Sequence, residues 1–155
     1  MAQLLFGERI GSTALLRVGC TAVVFDAGGA QVLLTQRSDN GRWCLPGGAM
    51  DPGESAVEAC VREVWEETGL EVQVERLVGA YTTPDRITVY ADGNRFQIVG
   101  LVFLARITGG ELGLSNETLD AGFYSLAVAE SMDIFEHHLQ YIRDALAGQP
   151  AAFLS

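Results

Sequence analysis

The stretch from Ser55 to Gly69 leaves this chain the least freedom. Ser55 and Glu58 stand three residues apart, the spacing of a capping box, in which each side chain satisfies a backbone N–H that the helix start would leave bare. Val57, Cys60, Val61, Val64 and Thr68 then recur at helical spacing and predict one buried face. Gly69 supplies the stop. Beside that face, at 100° per residue, Ala56, Ala59, Glu63, Glu66 and Glu67 share a second stripe. Glu63 lies three residues from Glu66 and four from Glu67, so the three carboxylates are placed to converge. Like charges so spaced cost a bare helix roughly 0.2–0.5 kcal/mol per pair, and the only base on the helix is Arg62. The two alanines leave room beside the acids. A solvated face would intersperse opposite charges. An uncompensated carboxylate stripe instead suits a hard cation, because Mg²⁺ takes oxygen ligands and shares its shell with substrate phosphates.

The rest of the chain predicts the surface on which this helix packs. Val18–Phe25 is β-branched and apolar and reads as a buried strand. Asp26-Ala27-Gly28-Gly29 turns the chain, and Gln31–Gln36 returns it. Arg37–Gly53, punctuated by Asn40-Gly41, Pro46-Gly47-Gly48 and Pro52-Gly53, reads as loop. Strands are expected over Leu70–Tyr81, Ile87–Ala91 and Phe96–Ile107, with Asp92-Gly93 as the hairpin turn between the last two, and a shorter strand near Gly122–Leu126. A last helix is expected from about Asp133, with Phe135, Leu139, Ile142 and Leu146 as its buried stripe and Gly148 and Pro150 as its end. Strands and helices do not alternate strictly, so the expectation is an α/β (α+β) fold, one mixed sheet with helices packed on it. At 155 residues with 48% hydrophobic residues, one domain over 1–155 is expected.

Charge and cysteine usage exclude several classes. The net charge is −10 and all ten basic residues are arginine, which opposes stable nucleic acid binding. A free polyanion would also be repelled, so a phosphate substrate needs a local cation. No apolar run is long enough to span a membrane. The first eleven residues lack the order of a signal peptide, so a cytoplasmic location is expected. Cys20, Cys44 and Cys60 form no metal pattern and read as buried thiols.

Gly48, Glu54 and then Arg62-Glu63-Val64-Trp65-Glu66-Glu67-Thr68-Gly69-Leu70 resemble the Nudix box, GX5EX7REUXEEXGU, at every defined position. A chance match is expected in roughly fewer than one in a million chains of average composition. The resemblance implies a Nudix-type mixed β-sheet sandwiched between helices. It also implies a hydrolase dependent on Mg²⁺ or Mn²⁺ that cleaves a pyrophosphate linkage by water attack on phosphorus. Glu63, Glu66 and Glu67 resemble the family's carboxylate metal ligands, and the Gly48 carbonyl resembles an additional one. Glu54 and Arg62 look like a supporting pair that fixes the loop against the helix. The catalytic base is left between a box glutamate, Glu66 or Glu67, and an acid on a later loop, where Glu117 and Asp120 precede the Phe123-Tyr124 strand.

The implied substrate is nucleotide-like: a nucleoside diphosphate linked to another group, such as a nucleotide sugar or ADP-ribose, with nucleoside triphosphates next. Arg37, Trp43 and Arg95 are candidate substrate contacts, Trp43 by stacking a base. Trp43 and Phe96 serve equally for core packing, and Arg42 and Arg86 share the phosphate-binding potential of Arg37 and Arg95. His137 and His138, adjacent on one helix, cannot face one ligand together and read as packing or surface residues. Leu33–Ser38 resembles the opening of a coenzyme A-cleaving branch, but its spacing to Leu45-Pro46-Gly47-Gly48 is too short for that motif. A non-catalytic Nudix-fold nucleotide-binding or regulatory module is the alternative function. A homodimer is left open.

Overall fold

A computed structural model describes residues 2–155. The chain runs β1 (Gln3–Phe6), a 3-10 turn (Ile10–Thr13), β2 (Leu15–Val24), β3 (Val32–Arg37), β4 (Trp43–Cys44), β5 (Gly47–Ala49), α1 (Ala56–Thr68), β6 (Leu70–Thr82), β7 (Arg86–Val89), β8 (Arg95–Gly110), β9 (Thr118–Tyr124), α2 (Leu126–Ala129), α3 (Glu136–Ala147) and β10 (Phe153–Leu154). The larger sheet is mixed. Its path is β1-β7-β8-β2-β5, with β6 on β8 and β10 on β6. β2 lies parallel to β8 from Leu15↔Phe96 to Val24↔Ala105, while β6 and β7 run antiparallel to β8. A second sheet, β4-β3-β9, closes beside it.

The alternation of β2 divides the core. Cys20, Ala22 and Val24 face one side and pack with Leu33, Ala59, Cys60, Val64 and Phe103 under α1. Val23 faces the other and packs with Leu34, Leu45, Val78, Tyr141 and Ile142 under α3. Helices on both faces therefore bury the sheet, as the apolar runs require.

Most predicted elements are present, and the differences have local causes. Ala59 is fully buried and Val57 is 44% exposed, so the buried face of α1 is rotated toward Ala59 relative to the sequence reading. Ala59 therefore fills core space and does not leave room beside the acids. α3 begins at Glu136, and its buried positions are Tyr141, Ile142, Asp144 and Ala145, while Leu146 is 50% exposed. Asp144 is tolerable there because the Tyr81 hydroxyl and Gln140 Nε2 donate to it. β4 and β5 fall in the segment expected to be loop. They are two and three residues long and too short to show alternation. β1, β10 and α2 were likewise not expected. No helix among the described residues is long and apolar enough to cross a membrane. All three cysteines are free and buried.

Candidate active site

Two features of α1 place its carboxylates. The capping box forms as expected, with Ser55 Oγ accepting from the Glu58 N–H and Glu58 accepting from the Ser55 N–H. Gly69 closes the helix at φ 74°, a conformation that favours glycine. Burial of Cys60 and Val64 then turns Glu63 and Glu67 toward β5, which β2 holds through the pairs Gly19↔Ala49, Cys20↔Gly48 and Thr21↔Gly47, while Glu66 stays half exposed beside Arg62. A Cβ on Gly48 would collide with the Glu63 carboxyl. Glycine at this position is thus what lets the backbone meet the acid.

Arg62 is the hub. It clasps Glu54 with two N–H groups, Nη2 at 2.9 Å from Oε2 and Nε on Oε1. It also donates to the Ala49 carbonyl at 3.1 Å, to Glu63 at 2.8 Å and to Glu66 at 3.2 Å. The Arg62 guanidinium holds the Glu54 carboxyl down at about 2. The sequence paired Arg62 with Glu54 only; its grip on Glu63 and Glu66 follows from their positions one and four residues on, and was missed. Among the described residues no three His, Cys, Asp or Glu side chains are gathered tightly enough to hold an ion between them. Arg62 draws two of the glutamates, and Glu67 turns instead to the Gly47 N–H at 3.3 Å.

Glu67 differs from its neighbours. Burial first, then the charges of Glu63 and Glu117, push its carboxyl up to about 8, against the pull of the Gly47 N–H. Burial likewise raises Glu63, opposed by Arg62. A buried carboxyl beside two others, with no cation of its own, is a group that a divalent ion would stabilise. The donor set therefore fits a hard cation, and the Gly48–Glu63 approach brings a backbone carbonyl residue to the same place.

Glu117 stands close enough to act on both Glu63 and Glu67. Its loop is pinned to the site: the Ser38 N–H donates to the Glu117 carbonyl at 3.0 Å, and Thr118 Oγ1 donates to the Glu67 carbonyl at 3.4 Å. Asp120 sits on β9 opposite Gln36 and accepts from the Ala121 N–H.

A cleft of about 790 Å³ runs from Gly47-Gly48-Ala49 to the start of α3 and takes in Arg17, Arg37, Arg42 and Arg86. Four of the ten arginines thus line one hollow in an acidic chain. Arg37 lines it, clamped by Asp39 at 2.8 Å through both Nε and Nη2. Trp43 is not part of the lining; it packs edge-on against Tyr124, 5.2 Å between centroids. Arg95 also lies outside it, exposed at the start of β8. Phe96 packs with Tyr90 and under Arg17. His137 and His138, read from the sequence as packing or surface residues, both line the cleft.

Comparison with known proteins agrees with this geometry. The chain is 38% identical over 99 residues to an ADP-ribose pyrophosphatase of Methanocaldococcus jannaschii, covering 62% of this chain and 55% of that protein. The chain spans about half the length of the first such relatives. It is 30% identical over 115 residues to the nucleoside triphosphatase NudI of an Enterobacter species, covering 70% of this chain and 82% of that one. A crystal structure of an ADP-ribose pyrophosphatase from Streptococcus suis superposes with a TM-score of 0.65 at 25% identity, covering 89% of this chain and 96% of that one. The NUDIX domain model itself matches residues 15–145, and because that is most of the sequence, the chain belongs to the NUDIX family.

Proposed function

We propose that this chain, as a single domain, is a divalent-metal-dependent hydrolase of the pyrophosphate linkage in a nucleoside diphosphate joined to another group. The observation that carries this reading is the approach of Glu63 to Gly48 and of Glu67 to the Gly47 N–H, beside the strand where an arginine-lined cleft begins. Glu63, Glu66 and Glu67, with the Gly48 carbonyl, would hold Mg²⁺ or Mn²⁺. When bound, the cation supplies positive charge that offsets the phosphate oxygens and makes a water easier to deprotonate.

The chain's own groups do the rest. Arg62 and Glu54 keep the glycine strand and the helix in register, as supporting groups do for ligands. Arg37, close enough to act on Glu67, orients the phosphates of the scissile linkage. A carboxylate, Glu117 on its pinned loop or one of Glu66 and Glu67, takes the proton of the attacking water. One phosphate then leaves, with little covalent work for the protein.

ADP-ribose and nucleoside triphosphates, named for relatives of this chain, belong in the first substrate panel beside nucleotide sugars. With Mg²⁺ present, release of nucleoside monophosphate identifies the hydrolase. Tight binding without release would identify a non-catalytic module, the reading that the retained carboxylates disfavour. Consumption of none and binding of none would contradict both.

A further inference from the structure

The cleft has a second end, away from the Gly47-Gly48-Ala49 strand. Where α3 begins, Phe135 is the N-cap and makes no side-chain cap bond. The His138 N–H donates to the Phe135 carbonyl at 2.9 Å, which leaves the Glu136 and His137 N–H groups without an acceptor among the described residues, at the positive end of the helix dipole. Phe135, Glu136, His137 and His138 from this turn all line the cleft.

The histidines are fixed in kind. The Leu45 N–H donates to His138 Nδ1 at 2.9 Å, so in the neutral ring the proton is on Nε2. Nε2 has no partner among the described residues, and no buried side-chain nitrogen or oxygen there is left without one. The Nε2–H is therefore open to the cleft as a donor. Burial and the nearby arginines hold both imidazoles in the neutral form.

The four cleft arginines divide by what they already hold. Arg37 is clamped by Asp39. Arg42 is tied to Asp133 and the Ile134 carbonyl and lies over the Phe135 ring. Arg17 is stacked on Phe96 and Tyr90. Arg86, at the start of β7, forms no ion pair among the described residues. It stands beside the Tyr141 hydroxyl and acts on both His137 and His138. Glu136, exposed, is the one carboxylate of the cleft lining.

A guanidinium, an imidazole N–H and uncapped helix N–H groups are all donors. Gathered at one end of a cleft, they complement an oxygen-rich anion. We propose that this end is a subsite for a second anionic group of the substrate, a phosphate or a carboxylate remote from the scissile linkage, with Arg86 as its specificity-determining residue and His138 as the positioning donor beside it. The inference rests on the hydrolase reading above and deepens it. It selects, among nucleoside diphosphates linked to another group, those whose linked group or ribose carries a further negative charge.

Matched pairs test it. UDP-glucuronate and UDP-glucose differ at one carboxylate; ADP-ribose 2′-phosphate and ADP-ribose differ at one phosphate. The wild-type chain with Mg²⁺ is expected to favour the anionic member of one pair by about 10-fold or more in kcat/KM, as a site built around a polar group rejects its absence. The pair that responds tells carboxylate from phosphate. Arg86→Gln should bring that preference to within about 2-fold by raising KM for the anionic member, while kcat and the uncharged member hold. Arg86→Lys should keep part of it. Glu136→Gln should tighten the anionic member. Calorimetric Kd values of the same pairs in EDTA give a readout independent of turnover, so that a chain which binds selectively without hydrolysis refutes the hydrolase and leaves the subsite standing. Equal treatment of both members in both pairs, or equal loss of both in Arg86→Gln, overturns the subsite.

Discussion

α1 and α3 are helices of similar length packed on opposite faces of the sheet, and they differ in what their first turns are used for. α1 closes its own N-terminus with Ser55 and Glu58 and presents function from its flank, as carboxylates. α3 has no side-chain cap and presents its N-terminus itself, flanked by arginine and imidazole. A helix whose first N–H groups are satisfied internally is stable but chemically silent there. A helix that leaves them open loses about 0.5–2 kcal/mol of capping and gains a place for an anion. On the proposed reading, one helix thereby serves a cation and the other an anion.

The sharpest way to break this contrast is to remove charge from the α1 end. Glu67→Gln should cut turnover by roughly 10²-fold or more, as for loss of a ligand or base, and weaken metal affinity. Its melting temperature in EDTA should stay unchanged or rise slightly, because Glu67 is buried against Glu63 and Glu117 and the substitution relieves that repulsion. An active Glu67→Gln chain would move Glu67 out of the site. Glu117→Gln sharpens the assignment. It should lower kcat by about 10-fold or more with metal affinity close to wild type, and Asp120→Asn should do neither. If both variants keep near-normal kcat at saturating Mg²⁺, the α1 glutamates alone position and deprotonate the water.

The two ends were unequally legible in the sequence. The α1 end is local: cap, carboxylates, clamp and stop lie within one segment, Gly48 to Leu70, and helical spacing converts their order into geometry. What the spacing could not give was rotation about the helix axis, so Val57 and Ala59 exchanged places, and Arg62 proved to hold three glutamates. The α3 end is non-local. Arg86 comes from β7, Leu45 from the segment before β5 and His138 from α3, 93 residues from its Leu45 partner. No periodicity links such positions. Trp43 was eligible for stacking a base by type alone, and its packing against Tyr124 depends on β4, a strand too short to announce itself.

Two smaller effects complete the comparison. Ser55→Ala should destabilise the chain by about 1 kcal/mol, read by denaturant melting, since it strips the α1 cap. No loss would mean that α1 is held by packing alone. At the α3 end, burial lowers His137 to about 3 and His138 well below its ordinary value. Folded values beneath the unfolded one mean that the unfolded chain binds protons first. Stability contributed by the neutral rings is therefore full above about pH 6.5 and falls as pH drops toward the folded values. The slope is at most about 1.4 kcal/mol per pH unit for each imidazole. His137→Asn should flatten the decline in melting temperature between pH 7 and pH 5; an unchanged slope would show that His137 is protonated as readily folded as unfolded.

The central claim is that the α1 carboxylates serve a divalent cation on which hydrolysis depends. It is tested most directly by assaying nucleoside monophosphate release from the best substrate after metal stripping, first in excess EDTA and then with Mg²⁺ or Mn²⁺ restored. The account predicts no release in EDTA and recovery on adding the ion. Full turnover in EDTA would contradict it.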